Sequence, residues 1–332
     1  MSSCQNCFLP IADARQAKHC KVCFKPVHPE CAINEDGGVF CDVCYVAKGD
    51  IGAGITFELP EEIRRTYIEL YRTCPFKFLE VVINGMEDPA TIYTQLGIDL
   101  HDWFDRSAHD PSIDADHIKG YMRKTFATKL YQDLLAEHDD ARFWERCETS
   151  IDTYFHIKKS LPTTPFITEE LIRFSIGEDL PLVRFTMDRI DEVDGELELL
   201  DWKTGKVMVG QKLSTDLQAP LYILGTIKHF NRPVRKFTFY YVNENKERVF
   251  TRSATDPDIY ECYVGKRVYK VSLQDTVREL QSVFTQIKKG NFNIPQDTRK
   301  LYFHCKNCIV KENGKCAGAD EQSWHNKSNG GW

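Results

Sequence analysis

The chain has no long apolar run, which excludes a helix built to span a bilayer. Its opening residues, MSSCQNCFLP, lack the charged and apolar regions of a secretion signal, so a soluble, intracellular protein with no membrane partner is expected. Internal repeats and low-complexity tracts are absent, and so is any helicase motif.

An overall positive charge, a common mark of proteins that track phosphates, is also missing. Lys and Arg number 43 against 49 Asp and Glu, a formal charge of -6. The average hides an asymmetry. Residues 201–316 carry 21 basic against 11 acidic side chains, whereas residues 51–200 carry 16 against 30. A positive half can follow a phosphate backbone while an acidic half supplies metal ligands; scattered charges on solvated faces are the alternative.

Disulfides are not expected. Of 13 cysteines, seven precede residue 45 and three cluster at Cys305, Cys308 and Cys316, a spacing that favours metal ligation in a chain without a secretion signal. Cys147 and Cys262 read as ordinary thiols. The series Cys4, Cys7, Cys20, Cys23, His28, Cys31, Cys41 and Cys44 falls into four pairs, with His19 as a competing ligand. It predicts two structural Zn²⁺ ions, because about 46 residues cannot bury a core without such staples.

What is present in the middle of the chain is more pointed. Met187 to Gly205, MDRIDEVDGELELLDWKTG, predicts a β-hairpin turning at Asp194-Gly195. Val193 then pairs with Glu196, Asp188 falls opposite Asp201, and Lys203 points the same way as Asp201. Facing carboxylates repel unless a cation lies between them, and the run Leu197, Leu199, Leu200, Trp202 marks the second strand as at least half-buried. A divalent metal site is one reading; a solvated surface hairpin is the other.

At 332 residues the chain can bury a substantial core and is expected to hold a small module (1–46), a linker (47–57), a large domain (58–318) and a tail (319–332). A helix is predicted from Pro60, with Ile63, Tyr67 and Leu70 on its buried face. Residues 91–160 read as polar, acidic and helical, 215–229 as a helix, 236–243 (KFTFYYVN) as a strand, and 274–289 as a helix with Val277, Leu280, Phe284 and Ile287 on one face.

Asp188, then Asp201-Trp202-Lys203-Thr204-Gly205-Lys206, then Gln218-Ala219-Pro220-Leu221-Tyr222 resembles the RecB-like branch of the PD-(D/E)XK nuclease superfamily. Gly97-Ile98-Asp99-Leu100-His101 is similar to that branch's early histidine motif, and Glu170 stands where it has an acid ahead of the hairpin, with Glu169 as the substitute. Gly290-Asn291-Phe292-Asn293-Ile294-Pro295 precedes Cys305, Cys308 and Cys316 much as in members of the iron-sulfur type. The resemblance covers residues 58–318 and implies an α/β fold, a mixed sheet flanked by helices with a helical insertion.

It further implies a metal-dependent DNA nuclease, an exonuclease or a flap- and end-processing enzyme acting on single strands or DNA ends in repair, recombination or replication. His101, Glu170, Asp188 and Asp201 would hold Mg²⁺ or Mn²⁺, Lys203 would assist catalysis, and Gln218 and Tyr222 would lie near the DNA. Cys74, in Cys74-Pro75-Phe76-Lys77-Phe78, would join Cys305, Cys308 and Cys316 around a 4Fe-4S cluster, with zinc as the rival metal and a gap before Cys316 longer than the family's. The N-terminal series resembles cross-braced RING and PHD fingers, which would pair Cys4 and Cys7 with His28 and Cys31, and Cys20 and Cys23 with Cys41 and Cys44. It lacks the tryptophan usual before the last PHD cysteine pair, so the finger reads as a platform for a protein or DNA partner. The competing function is an adaptor, or a ubiquitin-ligase-like protein, whose nuclease fold only binds DNA.

Overall fold

The computed structural model describes residues 59–136, 142–294, 302–306 and 308–316, with short pieces at 18–19, 26–29, 32–35 and 38–40. Of the expected zinc ligands only His28 falls among them; Cys4, Cys7, Cys20, Cys23, Cys31, Cys41 and Cys44 lie outside the described residues, as do the linker and the tail. Two antiparallel ribbons are described there, β1 (Lys18–His19) with β2 (Pro26–Val27), and β3 (Ile33–Glu35) with β4 (Gly38–Phe40). The chain divides into two compact units, Met1–Pro60 with Thr66–Asp88 and Gln281–Trp332, and Glu61–Arg65 with Pro89–Leu280. Among the described residues no helix is long and apolar enough to cross a membrane.

The second unit is built on an eight-stranded mixed sheet. Its strands are β5 (Glu62–Arg64), β6 (Ile167–Phe174), β7 (Leu182–Val193), β8 (Glu196–Lys203), β9 (Val234–Tyr241), β10 (Lys246–Arg252), β11 (Ile259–Val264) and β12 (Arg267–Ser272). They run in the order β12-β11-β10-β9-β8-β7-β5, with β6 also on β7. The helix predicted from Pro60 starts later. Glu62–Arg64 is a strand, parallel to β7 with Ile63 opposite Val183, and both side chains are fully buried. A sheet partner 120 residues away outweighs local helix preference there; α1 follows at Arg65–Thr73.

The hairpin forms as its turn residues require. Asp194 and Gly195 both have positive φ, 54° and 82°, as a two-residue type I′ turn needs, and Val193 pairs with Glu196. The β7–β8 ladder runs from there only as far as Arg189 opposite Leu200. β6 pairs along Val183 to Ile190 on one edge of β7, so β5, which pairs with Leu182 to Arg184, must share the other edge with β8. Between those two partners β7 has no ladder neighbour on that edge, and Asp188 sits in this fork. Its side chain does what the ladder no longer does, since Oδ2 accepts the Trp202 N–H at 2.7 Å.

Helices cover both faces. α2 (Pro75–Phe78) belongs to the first unit; α3 (Ile92–His109), α4 (Ala115–Phe126), α5 (Lys129–Ala136) and α6 (Phe143–Lys158) fill the stretch read as helical. These four pack into one apolar cluster with Leu200 and Trp202 of β8. Side chains alternate along a strand, so Asp201 faces the opposite side. There α7 (Lys212–Thr215) leads into α8 (Gln218–Phe230), which packs on β6, β7 and β9. Gly225 makes this approach close: a Cβ there would come within 2.5 Å of the Phe185 ring and 2.8 Å of Phe174. α9 (Leu273–Lys288) stops before Gly290, whose φ of 68° suits a helix C-terminus.

In the first unit, Tyr71, Phe78 and Phe292 form an aromatic group with centroids 5.4 to 6.3 Å apart. The Tyr71 hydroxyl donates to the Asn291 carbonyl at 2.5 Å, and Lys315 pairs with the buried Glu80 at 2.6 Å. Residues from the two ends of the predicted 58–318 domain therefore share one small core.

Candidate active site

Asp201 is the most enclosed acid of the sheet, 2 % exposed. Its Oδ1 accepts from Gln218 Nε2 at 3.0 Å. Oδ2 lies 2.6 Å from Lys203 Nζ but takes part in no aligned hydrogen bond. Burial pushes this carboxyl up to about 6, with Lys203 pulling it down and Asp188 pushing it further up. Lys203 sits on the same strand face two residues on, and its ammonium lies 5.2 Å from the Phe239 ring centroid.

His101 comes from α3, capped at its start by Thr91, whose hydroxyl accepts the Thr94 N–H. One turn before His101, Gly97 lies so close to Thr204 that a Cβ would be 3.3 Å from its Oγ1. The missing side chain lets the helix approach the strand end that follows Lys203. His101 Nδ1 stands 3.3 Å from Asp188 Oδ2. Burial disfavours its charge, yet the Asp188 and Asp201 carboxylates override that and raise the imidazole to about 9.

The acid that completes this group is Glu169, not Glu170. Thr168 pairs with Arg189 and Glu170 with Met187, so Glu169 lies opposite Asp188. Its φ of 48° kinks the strand. Ligand atoms of His101, Glu169 and Asp188 all lie within 4.8 Å of one another. Removal from water and the neighbouring Asp188 push Glu169 up to about 7. Glu170 points to the other face of β6, where its carboxylate meets His229 Nε2 at 3.3 Å. Adjacent residues on a strand take opposite faces, so a one-residue uncertainty in the sequence reading exchanges them completely.

Two neighbours were not anticipated. Asp105 and Thr168 line the same cleft as His101, Glu169 and Asp188. The Thr168 hydroxyl donates to Asp105 Oδ1 at 2.5 Å and lies 2.6 Å from His109 Nε2. This tie fixes the residue beside Glu169 against α3. Asp105 was legible as the fourth residue after His101 on one helix face; Thr168 was not, because its place depends on strand register.

Gln218 and Tyr222 share a helix face as expected. Pro220 fits within the first turn of α8, where no intrahelical donor is lost, and Asp216 Oδ1 accepts the Gln218 N–H at 2.8 Å. Tyr222 stacks on Phe185 at 4.2 Å, and its hydroxyl is raised above the ordinary range by burial and then by Asp201. Gln218 reaches Asp201 directly, whereas Tyr222 is buried against Phe185 and is not among the residues that line the cleft at His101, Glu169 and Asp188.

In the first unit, Cys74 precedes α2 and its sulfur accepts the Lys77 N–H at 3.4 Å. Burial pushes its thiol up to about 11, with Cys316, Cys308 and Cys305 adding to the shift. Cys74 therefore stands near enough to the other three cysteines to feel their charge.

The second unit's group has the donors a hard divalent cation takes, carboxylate oxygens with one imidazole. Asp201 Oδ2 already faces the Lys203 ammonium at 2.6 Å, so a divalent cation there would share this oxygen with Lys203. A mixed sheet flanked by helices, with clustered acids and a lysine at a strand fork, defines an α/β class with a site that could hold a metal ion. The family model of the PD-(D/E)XK nuclease superfamily matches residues 65–313, and the chain belongs to that superfamily, whose nucleases use divalent metals. No curated protein matches the chain. A solved structure titled "Crystal structure of SSO0001" is similar over 83% of this chain and 96% of that one, at 13% identity and a TM-score of 0.33.

Proposed function

We propose that the protein is a RecB-like, metal-dependent DNA nuclease that processes single strands or DNA ends, with His101, Glu169, Asp188 and Asp201 as metal ligands. The observation that carries this is the convergence of three ligand groups within 4.8 Å beside the Asp201–Lys203 pair. A bound Mg²⁺ or Mn²⁺ supplies a Lewis acid that acidifies water and offsets charge on the phosphate. Lys203, oriented by Asp201, holds the attacking water and stabilises charge on the phosphate oxygens; a compact ammonium suits this better than a planar guanidinium. Gln218 keeps Asp201 in its rotamer, and Asp188 ties the forked strands together through the Trp202 amide. Roles in repair, recombination or replication follow from such a substrate.

The same reading assigns Cys74, Cys305, Cys308 and Cys316 to a 4Fe-4S cluster, supported by the nearness of the other three to Cys74 and by the Cys305-x2-Cys308 spacing. It assigns the 1–46 module to two Zn²⁺ ions and a protein partner, on its ligand spacing alone. Cleavage of end-labelled single-stranded and duplex DNA by wild type beside Asp201→Asn tests the nuclease. Wild type should cut only with Mg²⁺ or Mn²⁺, and the folded variant should bind DNA without cutting. If neither cuts although both bind, the adaptor reading takes its place.

A further inference from the structure

The face of α3 that carries His101 continues toward the start of that helix. Tyr93, Gly97, His101 and Asp105 follow one another at four-residue spacing, which keeps them on adjoining turns of one side. Asp105 and His101 line the cleft at the acids. Gly97 abuts Thr204. Tyr93 opens onto a second groove, about 730 Å³ in volume, that it lines together with Arg146, Thr204, Lys206, Asn243 and Glu244. Helix α3 and the turn after Lys203 therefore connect the groove to the metal group. The eight residues from Tyr93 to His101 span ~12 Å at ~1.5 Å per residue. That is the length of roughly three or four stacked nucleotides at ~3.4 Å each.

We infer that this groove holds a single strand of nucleic acid a few nucleotides from the bond cut at the metal group; the inference rests on the nuclease reading and names where its substrate runs. Tyr93 is 39% exposed, its ring packs edge-on near Phe143, and the Arg146 guanidinium lies 5.7 Å from its centroid. An anchored aromatic face beside a cation offers a stacking platform for a base and a charge for its phosphate. Lys206, exposed and three residues after Lys203, adds a second cation. Asn243 Oδ1 is buried with no hydrogen-bond partner, and a base N–H is a donor it can accept from. Glu244 does not repel the strand through a bare carboxylate, because its oxygens take the Val207 N–H at 3.1 Å and face Lys246 Nζ at 3.3 Å. A duplex keeps its base faces stacked, so this chemistry selects unpaired nucleotides.

Fluorescence anisotropy of a labelled oligothymidylate, with Ca²⁺ in place of Mg²⁺, tests the groove in wild type, Tyr93→Ala, Tyr93→Phe and Lys206→Gln. Loss of one stacking platform should weaken binding by roughly 5- to 150-fold in Tyr93→Ala, with Tyr93→Phe near wild type. Lys206→Gln should flatten the salt dependence by about one counterion. Both Tyr93→Ala and Lys206→Gln should bind Mn²⁺ as wild type does. Oligothymidylate binding and salt slope equal to wild type in both would overturn the proposal, and if Tyr93→Ala does not fold, the Lys206→Gln slope decides alone. Wild type that cleaves while the variants bind normally sinks only the groove; wild type that neither binds nor cleaves sinks the nuclease reading itself.

Discussion

One oxygen of Asp188 receives the Trp202 amide proton and also faces the His101 imidazole, so a single carboxylate joins the strand fork to the metal group. The cost of that crowding appears in the protonation states. Without a cation, His101 keeps its proton up to about 9 and Glu169 up to about 7. A cation can bind only after both protons leave, because a ligand must present a lone pair. The sign follows: raising pH from 6 to 9 should strengthen Mn²⁺ binding, and binding at pH 7.5 should release protons. Isothermal titration in two buffers of different ionisation enthalpy checks this, and identical apparent heats would contradict it. The hairpin's turn and register were legible because a turn pair fixes them, but the expected ladder pair of Asp188 with Asp201 is not made: pairing ends at Arg189 opposite Leu200, and Asp188 bonds the Trp202 amide instead. Glu169 was legible only as an alternative, because nothing local marks the kink that turns it toward Asp188.

Among the elements, the helices over 92–158, the hairpin and β9 follow from period and turn chemistry. β5 and β10 to β12 do not. Glu62–Arg64 is a strand only because β7 offers it an edge, and no local pattern encodes that pairing. The outer strands mix buried pairs, such as Tyr260 with Val271, with exposed ones, such as Tyr263 with Val268, so no single alternation marks them. Helix α8 makes its own demand, a residue without a side chain at position 225, where it meets two phenylalanine rings. Gly225→Ala removes a helix-weakening glycine, yet the overlap with Phe174 and Phe185 should dominate. A net loss of about 1–3 kcal/mol is expected, read as a lower denaturation midpoint at unchanged slope. A midpoint equal to or above wild type would show that the rings move aside freely.

At the scale of the whole molecule, Cys74 and Cys305 are far apart in sequence, and a cluster binding both would close nearly the entire nuclease domain into a loop. By analogy with a disulfide, losing that closure costs about 2–4 kcal/mol. Cys74→Ala purified without oxygen should lose iron and sulfide and melt at lower temperature than the brown wild type; a colourless wild type holding only zinc would contradict the cluster. The central claim is that the two carboxylates neighbouring one another on β6 have different functions, Glu169 at the metal and Glu170 beside His229. Mn²⁺-dependent cleavage of end-labelled single-stranded DNA by Glu169→Gln and Glu170→Gln, each checked for folding, tests it most directly. Cleavage lost in Glu169→Gln and kept near wild type in Glu170→Gln is the predicted result, and the reverse pattern would contradict the assigned site.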